Sequence, residues 1–158
     1  MRQHMHQIDR PEQEKAILVS LKTSSDKDDK LASYSLLELR NLAETSGVLV
    51  VDEMTQNKDS ADTRWLIGKG KVEELKQRVA EFQAQTVIFD RELSGAQVRN
   101  LEEMLDVKII DRTQLILDIF AQRANTREGI LQVELAQLTY LLPRLSGHGN
   151  NLSRLGGG

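Results

Sequence analysis

The 158-residue chain contains no cysteine. That excludes thiolate catalysis, disulfides, iron–sulfur ligation and cysteine-based zinc sites. No apolar run approaches the roughly 20 residues needed to span a bilayer, and the opening MRQHMHQIDRPEQEK lacks the apolar core of a signal peptide. A soluble, cytoplasmic protein without a membrane span is the expectation. Histidine is scarce: His4 and His6 lie in the polar opening, and His148 sits in a Gly/Asn-rich stretch with no acidic neighbour. The phosphate-binding pattern G-x-x-x-x-G-K-[ST] is missing as well. No nucleophile–base pair or metal cluster stands out, so no catalytic residues and no metal ligands are assigned.

What remains suits one ordinary domain, or two small ones in contact. A chain this long buries roughly 70% of its unfolded surface and needs no covalent staple. There are 21 Lys+Arg against 24 Asp+Glu, a net charge of −3. Taken whole, that argues against a nucleic-acid binder, which usually carries a basic excess.

Residues 1–14 show neither helical nor strand periodicity and read as a flexible leader. From Lys15 the pattern is regular. Ala16, Ile17, Leu18 and Val19 form a continuous apolar run; Val48–Val51, Thr86–Phe89 and Val107–Ile110 are three more, and Trp65, Leu66 and Ile67 a short fifth candidate. Between them run helical stripes: residues 31–44, a helix from Val72 to about Gln83, and one opened by Ser94 and Gln97 at capping-box spacing. Uniformly apolar strands alternating with helices indicate an α/β fold, a small parallel sheet of four or five strands flanked by helices. Gln56–Thr63 reads as a polar surface loop.

After Asp111 the texture changes. Ile116, Ile119, Phe120 and Ala124 line one helix. Leu131, Leu135, Leu138, Leu142 and Leu145 line another at 4, 3, 4, 3 spacing, a coiled-coil-like seam. The short connection between them implies an antiparallel α-helical hairpin in which each helix covers the other's stripe. Two heptads are marginal for pairing between chains, so a monomer is expected. Pro143 is expected to kink or end the second helix near residues 140–142. The expected organisation is a leader over 1–14, an α/β part over 15–111, a helical hairpin over 112–146 and a Gly-rich linker over 147–158.

Three places offer chemistry. Asp90 and Asp111 each follow a buried strand, at the sheet edge where α/β proteins place functional groups; either also serves simply to start a loop or cap a helix. Gly68, Lys69, Gly70 and Lys71 precede a helix, where backbone N–H groups and two lysines suit a phosphate, though a plain strand-to-helix turn uses the same residues. At the hairpin tip, Arg123 and Arg127 flank Asn125 and Thr126. Guanidinium groups fork onto phosphates and stack on bases, and Asn and Thr read base edges or sugars. Helix ends are often polar for reasons of their own, but no acid occurs between residues 119 and 127.

These residues carry a family resemblance. Ile67-Gly68-Lys69-Gly70-Lys71-Val72-Glu73-Glu74-Leu75 is similar to a strand-to-helix motif in the N-terminal domain of HflX-family GTPases. More specific are Asp111-Arg112-Thr113, Leu117-Asp118-Ile119-Phe120-Ala121, Thr126-Arg127-Glu128-Gly129 and the run Leu131-Gln132-Val133-Glu134-Leu135-Ala136-Gln137-Leu138. Leu141-Leu142-Pro143-Arg144-Leu145 and the closing Leu152-Ser153-Arg154-Leu155-Gly156-Gly157-Gly158 resemble the family's lead into its GTP-binding (G) domain.

The resemblance implies a ribosome-associated GTPase that binds the large subunit and splits stalled or idle 70S ribosomes under stress. It places the hairpin loop, here residues 123–129, toward the peptidyl-transferase centre of large-subunit rRNA. GTP and Mg2+ would belong to a G domain beyond this chain, which packs against it; the fragment itself would have no GTPase activity. The family is also linked to ATP binding or hydrolysis outside the G domain, for which residues 68–71 are the candidate.

The net charge conceals an asymmetry. Residues 1–111 carry 16 basic and 21 acidic groups, whereas residues 112–158 carry five arginines, three acids and no lysine. The acidic excess lies on the sheet part. An rRNA-docking module with a mildly basic hairpin is the expected function; an accessory ATP- or purine-nucleotide-binding domain is the alternative.

Overall fold

A computed structural model describes residues 12–24 and 29–145. Residues 1–11 of the leader, His148 and the Gly-rich stretch 147–158 lie outside the described residues. The elements are β1 (Lys15–Thr23), α1 (Asp29–Ser46), β2 (Leu49–Lys58), α2 (Lys69–Phe82), β3 (Thr86–Phe89), α3 (Gly95–Leu105), β4 (Lys108–Asp111), α4 (Arg112–Arg123) and α5 (Arg127–Leu145).

The four strands form one parallel sheet in the order β2-β1-β3-β4. β1 is central and buried on both faces, which is why its sequence is apolar without alternation. Successive side chains point to opposite faces. Ile17, Val19, Leu21, Val87 and Phe89 therefore meet Val72, Leu75 and Val79 of α2 and Leu101 and Leu105 of α3. Ala16, Leu18, Ile88 and Ile110 meet Leu39 and Ala43 of α1 and Leu115 and Ile119 of α4. From β1 the chain moves outward to β2, then returns across β1 to β3 and β4. With right-handed crossovers, that reversal puts α1 on one face and α2 and α3 on the other. The reversal point lies between β1 and β3.

The sheet has four strands, not five. The candidate at Trp65–Ile67 is a turn in which Asp62 and Leu66 exchange two backbone hydrogen bonds of 2.9 Å. β2 also runs into the start of the stretch read as a polar loop, through Gln56, Asn57 and Lys58. An edge strand with one wet face carries polar residues, and a bulge opposite Ala16 and Ile17 shifts its register.

α4 and α5 are joined by the three residues 124–126 and pack on each other. α4 is also part of the α/β core: Leu115 and Ile119 are buried against the sheet and α1, while Phe120 is exposed. The leucine seam of α5 is not covered as expected. Leu131, Leu135, Leu138 and Leu142 are 51–66% exposed, and α5 has no buried residue. The stripe of α4 turns to the sheet and leaves little for α5. Pro143 does not end α5, which continues to Leu145. Tyr140 and Arg144 hold its last turns against the sheet, as described next.

Candidate nucleic-acid interface

The tip is built by helix ends. α4 stops at Arg123, and the Ala124 N–H closes on the Phe120 carbonyl at 2.9 Å. Thr126 then starts α5: its Oγ1 accepts the Gly129 N–H at 3.0 Å and its carbonyl accepts the Ile130 N–H at 2.9 Å. A Cβ at Gly129 would lie 2.9 Å from that hydroxyl, so glycine leaves room for the cap. Arg123, Asn125, Thr126 and Arg127 are all exposed. Neither guanidinium makes an ion pair with a described residue, unlike Arg40, Arg78, Arg112 and Arg144, which all do. Two cations therefore face solvent on a turn of three residues. Glu128 is the one acid adjacent to them.

Residues 68–71 are arranged differently from a phosphate-cradling loop. Gly68 is extended at φ −69°, ψ 156°, and Gly70 already belongs to the first turn of α2. The Gly68 N–H is spent on Gln56 Oε1 at 2.8 Å, and a Cβ there would meet Gln56 Nε2 at 3.2 Å. The unusual backbone lies two residues earlier, at Leu66, with φ 67° and a buried side chain. Asp62 holds that turn by accepting the Arg64 and Trp65 N–H groups at 2.7 and 2.9 Å. Even so, no side chain caps α2 and no acid stands in its first turn. Lys69 is exposed beside it, and Lys71 pairs with Glu74 at 3.1 Å, which pulls the Glu74 carboxyl below its ordinary range.

The two strand-end aspartates are structural. Asp90 accepts the Ser20 hydroxyl at 2.6 Å and the Leu21 N–H at 3.2 Å, tying β1 to the end of β3. Asp111 is 2% exposed and binds three donors. Its Oδ1 caps α4 through the Gln114 N–H at 3.0 Å; its Oδ2 accepts the Leu93 N–H at 3.0 Å and the Tyr140 hydroxyl. Arg144 Nε stands 3.9 Å from the same oxygen, and its Nη2 pairs with Glu92. The Arg144 guanidinium also lies over the Tyr140 ring at 3.3 Å. Close packing reinforces the tie, since a Cβ on Gly95 would fall 2.8–2.9 Å from backbone atoms of Arg144. The base of α5 is thus fixed to β4, α4 and the loop before α3 through one carboxylate.

Burial, and then the bond to Asp111, raise the Tyr140 phenol above its ordinary value. The folded state holds that proton more tightly than the unfolded chain. Its contribution to stability is full below the ordinary tyrosine value, roughly pH 10, and is lost as pH rises beyond it. Tyr140→Phe is expected to flatten the alkaline fall in stability, as read by urea denaturation across that range. An unchanged slope would remove Tyr140 as its source.

Among the described residues no group of His, Asp and Glu is placed to hold a metal, and no helix is long and apolar enough to cross a membrane. Comparison with known proteins gives the lineage. Residues 33–121 match the family model "GTP-binding GTPase N-terminal", and residues 123–158 match "GTP-binding GTPase Middle Region". The chain belongs to the HflX family of GTPases. It is 54% identical over 147 residues to the GTPase HflX of Caldanaerobacter subterraneus, covering 93% of this chain and 33% of that protein. It is 43% identical over 145 residues to the GTPase HflX of Escherichia coli, covering 92% of this chain and 33% of that one. The chain thus spans about a third of the length of these HflX relatives.

Among solved structures, the fold is similar to that of a GTP-binding protein from Sulfolobus solfataricus in complex with GDP. The TM-score is 0.64 at 23% identity, over 87% of this chain and 40% of that one. A G235S variant of SsGBP gives a TM-score of 0.67 at 23% identity, over 86% and 42%. At that identity the likeness speaks for the fold alone.

Proposed function

We propose that this HflX-family chain is the ribosome-docking part of a longer GTPase, and that the turn between α4 and α5 contacts rRNA of the large subunit. One observation carries the reading: Arg123 and Arg127 are exposed, make no ion pair with a described residue, and flank a three-residue turn whose backbone is fixed by the Thr126 cap. Such groups fork onto phosphates and stack on unpaired bases. They gain most in a crowded anionic cavity, where each phosphate contact releases counterions. The parent would bind GTP and Mg2+ in its G domain and would use nucleotide state to set its affinity for the ribosome. Occupation of the subunit's active centre would then favour release of stalled or idle particles under stress, in the cytoplasm.

The exposed leucine seam of α5 supports a further partner, the remainder of the same polypeptide. Four leucines, each 51–66% exposed on one helix, are costly, roughly 1–2 kcal/mol for each that a covering surface would bury the rest of the way. A monomeric parent with this face covered internally is the expected state.

The direct test places a photo-reactive amino acid at position 125 of the full-length protein and cross-links it to ribosomal particles. Cross-links to large-subunit rRNA are expected; cross-links to ribosomal proteins alone, or none, contradict the reading. The uncapped, lysine-flanked start of α2 favours a second reading, an accessory site for ATP. Titration of the chain with ATP decides it: saturable amide shifts at residues 68–71 support the site, and their absence removes it.

A further inference from the structure

Phe120 is the aromatic side chain that the core leaves out. Of Trp65, Phe82, Phe89, Phe120 and Tyr140, it alone is exposed, at 55%, and the others are buried or half-buried. Helix geometry accounts for this. Successive residues of an α-helix turn by about 100°, so with Leu115 and Ile119 buried against the sheet and α1, the next residue is carried off that face. The backbone there is fixed, since the Phe120 carbonyl accepts the Ala124 N–H at 2.9 Å in the last turn of α4.

The neighbours of the ring decide what it suits. Residues three apart on a helix share a face, with Cβ atoms about 5–6 Å apart, which places Arg123 beside Phe120. Arg123 is exposed and makes no ion pair with a described residue, and Arg127 opens α5 just across the turn. Gln122 is engaged elsewhere, its Nε2 donating to the Ser46 carbonyl at 2.9 Å. An apolar surface laid over Phe120 would also cover Arg123, and a guanidinium taken out of water without an acceptor is costly. An unpaired nucleotide suits both side chains at once. Its base offers a flat π face to the ring, and its phosphate an acceptor to the guanidinium.

We propose that Phe120 stacks on an unpaired base of the large-subunit rRNA, with Arg123 on the adjoining phosphate. This rests on the reading of the α4–α5 turn as an RNA contact and adds to it the kind of RNA taken. The arginines hold the backbone of any strand, whereas the ring needs a base free of its duplex stack, so the tip selects single-stranded RNA.

The test measures the affinity of the full-length protein for purified large subunits across a salt series, for Phe120 variants beside Arg123→Ala with Arg127→Ala. Phe120→Ala is expected to weaken binding roughly tenfold, within the range of base-on-aromatic stacking, and to leave the salt slope unchanged, because stacking releases no counterion. Phe120→Leu keeps an apolar side chain without a π face and is expected to bind nearly as weakly. Phe120→Trp keeps the π face and is expected to bind at least as tightly as the parent. All three should melt with the parent. Parent-like binding by Phe120→Ala overturns the stacking; the RNA reading survives if the double arginine variant is weak, and falls with it if that variant also binds like the parent. Parent-like binding by Phe120→Leu would show a plain apolar contact of the kind a protein partner makes. A lowered thermal midpoint in Phe120→Ala would show a ring covered within the parent itself. Either result overturns the proposal.

Discussion

Asp111→Ala is expected to lower the unfolding free energy by about 3–5 kcal/mol, a large share of the 5–15 kcal/mol typical of a domain. The carboxylate is buried and accepts from the Leu93 N–H, the Gln114 N–H and the Tyr140 hydroxyl. Removing it strands three donors where water has little access, each costing about 1–3 kcal/mol. It also removes the α4 cap, worth about 1 kcal/mol within that total. Arg144 loses the anion 3.9 Å from its Nε. The effect reaches beyond global stability. Asp111 joins β4, α4, α5 and the loop before α3, so its loss should free the end of α5 before the sheet melts, exposing residues 140–145 to protease. Asp111→Asn retains an acceptor oxygen and is expected to cost about half as much, since the charge facing Arg144 is gone but fewer donors are stranded. Urea denaturation reads both, as a shifted midpoint with unchanged slope. A loss below about 1 kcal/mol for the alanine variant would show that the carboxylate does not hold these elements together.

Much of the fold was legible because its signals are local. The unbroken apolar run at Ala16–Val19 marks a strand covered on both faces, and it is one of the two inner strands. Ser94 and Gln97 stand at capping-box spacing and form both reciprocal bonds. Asp111, placed after an apolar run and before a helical stripe, caps α4. The misreadings concern residues whose state depends on distant partners. β2 was shortened because the exposed face of an edge strand is polar and resembles a loop.

By sequence the apolar stripe of α4 suits α5, yet Leu115 and Ile119 face the sheet and α1. Periodicity reports that a face is apolar and does not name its partner. Pro143 implies a kink or an end near residues 140–142, but Tyr140 and Arg144 reach Asp111 and Glu92, 29 and 52 residues away, and hold the last turn. At the candidate tip, the arginines and the missing acids were visible in sequence. The Thr126 cap that fixes their turn has its signal in Thr126 and Gly129 at the start of a helical stripe. Tyr140 and Arg144 carry no sequence signal of their role, because Asp111 and Glu92 meet them only once α5 returns to the sheet.

Arg123→Ala with Arg127→Ala, in the full-length protein, is expected to weaken large-subunit binding by about two orders of magnitude. Each guanidinium–phosphate contact is worth roughly 1.5–3 kcal/mol as a charge-assisted bond, with part of that recovered by solvent. Neither arginine is paired within the described residues, so the fold should not be disturbed, and its thermal midpoint should match the parent's. The decisive measurement is the affinity of the full-length protein for purified large subunits across a series of salt concentrations, for parent and double variant. A phosphate-bound tip predicts that the double variant loses about 2 from the slope of log affinity against log salt, one for each contact removed. An unchanged affinity and an unchanged slope would contradict the central claim, since exposed arginines that never meet phosphate release no counterions.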